Sequence, residues 1–584
     1  MARRLSATGR LLTVLTSLCA LTLSAPGAAR ADAARFDLSG PALSVSVTRA
    51  GRSLPIAEVP NLAVGDALHI RALMPPGQSA RYLMVAAFLR GATDPPPKNW
   101  FHRDETWTRK GAAGLDLVVP PGAEQVAIFL APSTGGDFAT LVNAVRGRPG
   151  AFVRALQDLN QASLDRSRLD AFLAAVRRSD PADPDRLKEV SPLLARSLAI
   201  KLDTNCFQKM PDLQAACLTQ GQEALVLSDG HGASLTQSLT AGPTADLAFQ
   251  LSASPQGGFG YFSPYIAAAM DIARILGSMH TAQYQYIPAL PLDGDGDRLS
   301  LLLNAAPSFH NPKSVLVAAL PAVASPRPPP LRPAQADGAY CAEQPGLVLP
   351  LEGAPLAYST RYAHDLALRV TTKSGATVDL PLTPDAEKGG FDVETAGLNP
   401  ARFGPTVEGR LHGLWGFETF EGPAFTLQNA GAWRLAPGED RRLIVGRDDD
   451  IRLEGQGSAC VESVEFAAGD DGAAVAKPVS WKADGAGAIA ATLPLKDARP
   501  GPGRLAIESY GVAAPQTLDL KAFAQDGHLA SFSLHAGDTS GVLKGARLDE
   551  VARLTLGKLA FEPGALANSP DGDVLLMTAT ESTA

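Results

Sequence analysis

One short segment, S-D-G-H-G-A-S, concentrates side chains that can do chemistry: Ser228, Asp229, His231 and Ser234 lie within seven residues. These are the residue types that hydrolases use as nucleophile, orienting acid and general base. Such groups must meet in space, which neighbours on one loop rarely do, and the segment has no G-x-S-x-G nucleophile elbow. D-G-H-G is also a common turn sequence. We therefore favour a turn, with a secreted hydrolase whose site lies in 203–324 as the alternative.

A second motif, D-G-D-G-D, places Asp293, Asp295 and Asp297 at alternate positions, as in a calcium-binding loop. Three carboxylates suit a hard cation such as Ca²⁺. Arg298 stands where an EF-type loop has glycine, however, and Asn304 stands where it has the bidentate glutamate. We favour an acidic hairpin turn between two apolar strands. Ca²⁺ is the one cofactor that the sequence suggests, because no two histidines have the i, i+4 spacing of a helical zinc site.

Aromatic residues form a third set of candidates, in a chain of which only 6% is aromatic. Tyr284 and Tyr286 alternate with glutamines and are expected on one face of a strand. Trp415 and Phe417 belong to the aromatic-rich stretch G-L-W-G-F-E-T-F. Such rings can stack on a sugar or hold a peptide, although core packing is the default for buried aromatics. They are our candidate ligand-binding residues.

The N-terminus has the pattern of an export signal. Three arginines precede the apolar run LLTVLTSLCALTL, and Ala29-Arg30-Ala31 supplies a small-x-small cleavage site. The apolar run is shorter than the roughly 20 residues that a membrane span needs. We predict cleavage after Ala31, with Ala33 as the alternative. The mature protein is then periplasmic or secreted, without stable membrane insertion, and its Ala-, Arg-, Gly- and Pro-rich body is typical of bacteria.

The charge of the chain argues against two classes of partner. Removal of residues 1–31 takes away four arginines and no acidic residue, which leaves 48 basic against 60 acidic side chains. Nucleic-acid binding requires clustered Lys and Arg to neutralise phosphates. Docking on anionic lipid requires the same. We therefore expect no nucleic-acid partner and instead a protein or glycan partner at the cell envelope.

Four cysteines remain once Cys19 leaves with the signal peptide, and an even number in an oxidising compartment predicts disulfides. Four cysteines allow three pairings. Cys206 and Cys217 are eleven residues apart with a proline between them, which favours a local bond. Cys341 is then left for Cys460. Metal binding is the alternative, but the chain has no C-x-x-C motif and no histidine at ligand spacing.

Short apolar segments separated by Gly- and Pro-rich turns predict a mainly β, multidomain fold, with immunoglobulin-like β-sandwich modules, a helical insertion and a mixed α/β middle region. Five prolines within 325–338 predict an extended linker. The predicted segments are a signal peptide (1–31), an N-terminal β-sandwich (32–136), a helical insertion (137–202), a mixed α/β region (203–324), the linker (325–338), a β-sandwich module (339–425), an immunoglobulin-like module (426–525) and a short immunoglobulin-like C-terminal module (526–584).

Two segments ninety residues apart, 453–466 and 543–556, share a pattern of apolar residues around a glycine. Their spacing matches the size of an immunoglobulin-like domain. We interpret them as one module used twice. Each glycine is expected in a turn with positive φ, and the later apolar residues are expected to point into a core. Cys460 aligns with Glu550, so a module-specific role is expected there. The aligned pairs are Leu453/Leu543, Gly455/Gly545, Val461/Val551, Val464/Leu554 and Phe466/Leu556.

The second copy, LKGARLDEVARLTLGKLAF, resembles the start of IPT/TIG-type immunoglobulin-like modules. In that family an apolar-x-Gly turn precedes a strand and a small hairpin. The resemblance covers two short segments in the C-terminal part of the chain. It implies a sandwich used for spacing or protein contact, and it carries no catalytic residues with it.

Taken together, these features favour an exported, non-catalytic multidomain scaffold or adhesion-like binding protein of the bacterial periplasm or cell surface. A modular β architecture and the absence of a convincing catalytic constellation motivate this expectation. The secreted hydrolase remains one alternative, and glycan binding through the aromatic segments is the other.

The export signal makes a direct prediction. When the full chain is expressed in a bacterial host with its own leader, N-terminal sequencing of the recovered protein is expected to begin at Asp32 or Ala34, because signal peptidase cuts after a small-x-small motif. A recovered protein that begins at Met1 would contradict the signal-peptide prediction.

Overall fold

The computed structural model describes most of the chain after residue 35. Contacts divide the chain into two units, one built from the residues up to 182 together with 199–326, the other from 183–198 together with 327–584. The described residues are 36–74, 81–91, 93–133, 138–179, 183–220, 225–226, 283–294, 296–395, 402–441, 443–469, 475–485, 487–569 and 572–580.

The first unit is organised around one ten-stranded sheet. Its strand order is β5-β4-β7-β10-β8-β9-β1-β3-β6, with β2 paired to β1. The strands are β1 (Leu38–Arg49), β2 (Arg52–Pro55), β3 (Ala67–Leu73), β4 (Tyr82–Leu89), β5 (Phe101–Glu105), β6 (Leu115–Val118), β7 (Gln125–Pro132), β8 (Tyr284–Asp293), β9 (Arg298–Leu303) and β10 (Lys313–Ala319). The terminal strands β5 and β6 also touch each other, so the sheet is strongly curled.

Burial explains the sequence of the central strands. Every residue of β4 and β7 is buried, which accounts for their unbroken apolar runs YLMVAAFL and QVAIFLAP. One face of this part of the sheet is covered by the helices α1 (Phe138–Gly147) and α2 (Pro149–Arg178). Pro149 starts α2, where its missing N–H is not needed. Phe152 and Leu159 of α2 lie in the same core as Phe129 of β7.

Strands from two distant parts of the sequence share this sheet. β10 lies between β7 and β8 and pairs parallel with β8, while β9 connects β8 to β1. The strands of 36–133 therefore do not pair only among themselves, as a separate sandwich over 32–136 would require. They are completed by strands from the region that the sequence marks as mixed α/β. Hydrophobic periodicity reports that a segment is a strand but not which strand it pairs with.

Three further helices are described after α2. α3 (Pro184–Leu198) belongs to the second unit, where it packs on strand β13 (Val348–Glu352) and on the short helix α5 (Leu356–Ser359). α4 (Pro211–Leu218) carries Cys217, which is bonded to Cys206 in the first unit. The helical segment predicted for 137–202 thus contributes helices to both units.

The second unit starts with an eight-stranded sheet whose order is β11-β13-β16-β15-β14-β17-β18-β12. Within the Pro-rich segment, Arg332 and Pro333 form the edge strand β11, a position that tolerates proline because one side of the strand is unpaired. The remaining strands are β12 (Ala339–Cys341), β14 (Ala363–Thr371), β15 (Thr377–Asp385), β16 (Gly390–Val393), β17 (Thr406–Trp415) and β18 (Glu418–Gln428).

The next module is a sandwich of two four-stranded sheets, β19-β20-β24-β23 and β22-β21-β25-β26. Ile451 and Leu453 of one sheet share a core with Val464, Phe466 and Ile507 of the other. The strands are β19 (Arg434–Leu435), β20 (Asp449–Glu454), β21 (Val461–Ala468), β22 (Lys477–Pro478), β23 (Ser480–Ala483), β24 (Ala488–Leu493), β25 (Gly501–Ser509) and β26 (Gln516–Ala522).

A small five-stranded sheet, β27-β28-β31-β30-β29, ends the chain. Its core contains Leu543, Leu548, Phe561, Leu575 and Met577. The strands are β27 (His528–Ser533), β28 (Ser540–Ala546), β29 (Leu554–Leu556), β30 (Leu559–Ser569) and β31 (Gly572–Ala579). The prediction of a mainly β, multidomain fold is confirmed. Within the described part of the chain, no helix combines the length and apolar character needed to span a membrane.

The shared sheet predicts how fragments of the first unit behave. A fragment of residues 32–136 lacks β8, β9 and β10, so its strands fall into two groups that no longer pair with each other. It is expected to show no cooperative thermal unfolding, whereas a fragment of residues 32–324 should unfold cooperatively, because it contains all ten strands. Circular dichroism melts of the two fragments make the comparison. A cooperative transition in 32–136 would contradict the expected dependence on β8–β10.

Candidate functional site: the repeated turns that join the C-terminal modules

Two of the three predicted site motifs involve residues that lie outside the described part of the chain. Ser228, Asp229, His231 and Ser234 all do, as does Asp295 of the acidic motif, so the hydrolase and calcium hypotheses stay predictions. Asp293 ends β8, and the carboxylate of Asp297 accepts a hydrogen bond from the Ser44 hydroxyl of β1. Among the described residues, no three His, Cys, Asp or Glu side chains are grouped as a metal site.

The predicted aromatic candidates lie largely in hydrophobic cores. Tyr284 and Tyr286 are 1% and 2% exposed, and Tyr286 packs edge-to-face on Phe152 with ring centroids 5.4 Å apart. Burial raises the pKa of Tyr286. Trp415 packs in the same manner on Tyr362, while Phe417, in the turn after β17, is half-buried. The rings of Tyr284, Tyr286 and Trp415 therefore present no open face on which a sugar can stack.

The cysteines form the two bonds that their spacing predicts, Cys206–Cys217 and Cys341–Cys460. The second bond joins two modules: Cys341 ends β12, and Cys460 ends a 3₁₀ turn (Ser458–Cys460) directly before β21. Both sulfurs belong to fully buried residues. The first joint between modules is therefore covalent.

Backbone contacts surround this disulfide. Gly457, which precedes the 3₁₀ turn, has φ +78°, and a Cβ at this position would overlap the carbonyl oxygen of Asn429. Only glycine combines a left-handed backbone with so close an approach. The side-chain oxygen of Gln428, at the end of β18, accepts a hydrogen bond from the Ala459 N–H at 3.0 Å. The turn thus rests directly on the end of the preceding module.

The same turn recurs ninety residues later. Arg547 precedes the 3₁₀ turn Leu548–Glu550 and has φ +54°, also in the left-handed region. Leu453 and Leu543, in the strands that lead into the two turns, are 0% and 2% exposed. The repeat seen in the sequence is therefore a repeated local structure: a strand, a left-handed residue and a 3₁₀ turn.

Two details of the predicted repeat are wrong. Gly455 and Gly545 do not have positive φ, which occurs two residues later, at Gly457 and Arg547. Gly455 is needed instead because a Cβ there would clash with the ring of Trp433, and Gly545 because it lies against the carbonyl of His528. Leu556 does not point into a core either: it is 54% exposed, because the three-residue strand β29 lies at the edge of its sheet.

Buried charges form the second joint, between the β19–β26 sandwich and the last sheet. Arg447 of the sandwich pairs with Asp573 of β31 at 2.8 Å and with Asp449 at 2.9 Å. Asp573 is 4% exposed and also accepts the Leu548 N–H at 3.1 Å. Although burial opposes it, the carboxylates of Asp449 and Asp573 raise the pKa of Arg447. Buried ion pairs thus join these two modules, where a disulfide joins the previous two.

Arg547, in the turn of the last sheet, also contacts the sandwich. Its Nη1 donates to the Val445 carbonyl at 2.9 Å, and its Nη2 pairs with Glu550 at 2.6 Å. Arg547 is only 7% exposed. Glu550, which aligns with Cys460, pairs with this guanidinium within its own turn, whereas Cys460 itself makes the bond between modules. The ninety-residue spacing of the two segments predicts the repeated turn. The pairing of Arg447 with Asp573, 126 residues apart, has no corresponding pattern in the sequence.

Comparisons with known proteins add no family. No protein-family model matches the chain, and no curated protein matches it. Among solved structures, it is similar to the Bacteroides ovatus SGBP-B of a mixed-linkage glucan utilization locus, in complex with a heptasaccharide, at 12% identity over 43% of this chain and 58% of that one, with a TM-score of 0.16. The chain therefore spans less than two thirds of that protein.

Two other similar structures consist of several consecutive domains. A tandem of titin immunoglobulin domains matches at 10% identity over 32% of this chain and 91% of that one, with a TM-score of 0.15. The FN1–FN3 domains of chicken CNTN1 match at 10% identity over 38% and 77%, with a TM-score of 0.14. At such TM-scores these likenesses support no conclusion about ligand or partner.

The ionic joint predicts a large effect of one substitution. Arg447→Met leaves Asp573 and Asp449 buried without their cation, so it is expected to lower the free energy of unfolding of the last two modules by about 3–5 kcal/mol. Arg504→Met is the control, because Arg504 is 62% exposed and pairs loosely with Asp519 on the same module. It should cost less than about 1 kcal/mol. Urea unfolding followed by hydrogen exchange measures both effects. Equal effects of the two substitutions would contradict the role of Arg447 in the ionic joint.

Proposed function

We propose that this protein is an exported, non-catalytic scaffold or adhesion-like binding protein of the bacterial periplasm or cell surface. The observation that carries the proposal is the buried Cys341–Cys460 bond, which ties one module covalently to the next. A disulfide of this kind persists in oxidising compartments and is rare in the cytosol. The export pattern at the N-terminus supports the same compartment.

The two joints support a mechanical role for the C-terminal modules. A flexible linker would let neighbouring modules reorient freely. Here the connection from β18 to β19 spans only residues 429–433, and the connection from β26 to β27 spans only residues 523–527. Each short connection is reinforced by the repeated turn, with a disulfide in one case and buried ion pairs in the other. Modules fixed in this way hold a partner at a set position, which suits a scaffold.

The proposal includes the IPT/TIG-type character of the C-terminal modules, supported by the turn that both copies share. It also includes a protein or glycan as the partner at the cell envelope. The partner surface has to lie on the modules rather than in the joints, because the joints are buried.

The covalent joint is tested by the double substitution Cys341→Ser/Cys460→Ser. Loss of a bond that closes a 119-residue loop is expected to lower the free energy of unfolding of the second unit by roughly 2–5 kcal/mol. Hydrogen exchange should rise on both sides of the joint, around residues 339–341 and 457–461. Cys206→Ser/Cys217→Ser is the matched control, because that bond lies in the first unit and should leave these segments unchanged.

Two results would overturn the proposal. Free thiols at Cys341 and Cys460 in the exported protein, seen by mass mapping of non-reduced digests, would remove its basis. Turnover of an ester, glycoside or peptide substrate that is abolished by His231→Ala would instead establish the hydrolase alternative.

A further inference from the structure

An open depression lies on the β19–β26 sandwich, next to the covalent joint. Its volume is about 700 Å³, and it is widely open to solvent. The side chains that line it include Trp433, Arg434, Arg452, Glu454, Gln456 and Asp484. Gln456 belongs to the repeated turn region that carries the disulfide, so the depression and the joint share one loop.

The alternation of two strands creates its shape. In β20, Ile451 and Leu453 are buried in the core, so Arg452 and Glu454 point to the outer face. On the neighbouring strand their partners are Ala490 and Ala488. Of these two alanines, Ala488 lines the depression, where it forms a small floor beside the long polar side chains. Gly455 and Gly487 extend this floor and are hydrogen-bonded to each other at 3.0 Å.

The polar lining is balanced in charge. Arg434 pairs with Glu454 at 2.7 Å, and Arg452 pairs with Asp484 at 2.8 Å. The two cations and two carboxylates sum to no net charge, so the depression does not attract a polyanion or a polycation. Arg452 is 54% and Asp484 47% exposed, which leaves guanidinium donors and carboxylate acceptors facing solvent. Paired donors and acceptors of this kind match the hydroxyl groups of a neutral ligand.

The wall at Trp433 is held rigidly. The side-chain oxygen of Gln516 accepts a hydrogen bond from the backbone N–H of Trp433 at 2.8 Å. Its side-chain nitrogen donates one to the backbone carbonyl of Trp433 at 2.5 Å. The ring packs against Gly455 and is 3% exposed. The ring belongs to the core between the two sheets, so this wall is fixed from the inside of the module.

A peptide strand is a poorer fit than a sugar chain. Extended peptides bind by pairing with free backbone groups at the edge of a sheet. β20 lies between β19 and β24, and β24 lies between β20 and β23, so both strands under the depression are already paired on each side. Recognition over these two strands therefore uses side chains on the sheet face.

We propose that this depression binds a neutral, hydroxyl-rich glycan segment. The site is distinct from the aromatic segments predicted from the sequence, and it goes beyond the scaffold function by assigning a ligand class and residues. Arg452, Asp484, Arg434 and Glu454 bind the hydroxyls, and the small residues Ala488, Gly455 and Gly487 let the glycan chain lie close to the sheet.

Isothermal titration of the mature full chain with neutral hexasaccharides (cello-, xylo- and mannohexaose) and with an acidic one (hexagalacturonate) tests this site. Binding of at least one neutral probe is expected, with no preference for the acidic probe. The double substitution Arg452→Ala/Asp484→Ala should weaken it at least tenfold. Arg504→Ala/Asp519→Ala, an exposed pair on the opposite sheet of the same module, is the matched control and should leave the affinity unchanged.

Three outcomes would overturn the site. The first is that no neutral hexasaccharide binds, and the second is that hexagalacturonate binds more tightly than the neutral probes. The third is that a neutral probe binds with the same affinity to the Arg452→Ala/Asp484→Ala variant. Thermal melts of both double variants establish that they are folded, and neither variant removes a buried group. The scaffold proposal rests on thiol mapping and turnover assays instead, so the two can fail separately.

Discussion

The Cys341–Cys460 bond and the left-handed turn beside it set the geometry on which the rest of the second unit depends. The turn places Cys460 against the end of the preceding module, and Gly457 allows the two backbones to approach without a side chain between them. Once that contact is fixed, the sandwich, the depression on its outer face and the ionic joint to the last sheet all have defined positions within the unit. One local backbone conformation thus has consequences over three modules.

The two joints use the same turn with different chemistry. At Gly457 the backbone itself makes the close contact, and a covalent bond follows three residues later. At Arg547 a side chain extends from the same left-handed position and makes the contact with its guanidinium. An arginine at φ +54° carries some backbone strain, which its buried hydrogen bonds offset. The covalent joint responds to reductant and the ionic one does not, so the modules need not loosen together.

Much of this could be read from the sequence, and the failures have physical reasons. The mainly β fold follows from short alternating segments, and the disulfide pairing follows from cysteine spacing. Periodicity does not report which strands pair, so the joining of 36–133 with 283–319 in one sheet was not predictable. The sequence predicts positive φ at both glycines, although Gly455 is required by the ring of Trp433, which lies 22 positions away in sequence and is brought close only by the fold. Arg447, Asp573 and the Arg452–Asp484 pair look like ordinary surface charges until their strands are placed.

The interleaved sheet of the first unit also has a consequence for biogenesis. A ribosome delivers β1 to β7 long before β8 to β10, and β1 pairs directly with β9. Until the later strands emerge, β7 and β1 expose unpaired edges, which are templates for association with other chains. Such long-range pairing also slows folding. The sheet cannot be completed before residue 319 is present, so the early strands stay open to association with other chains until then.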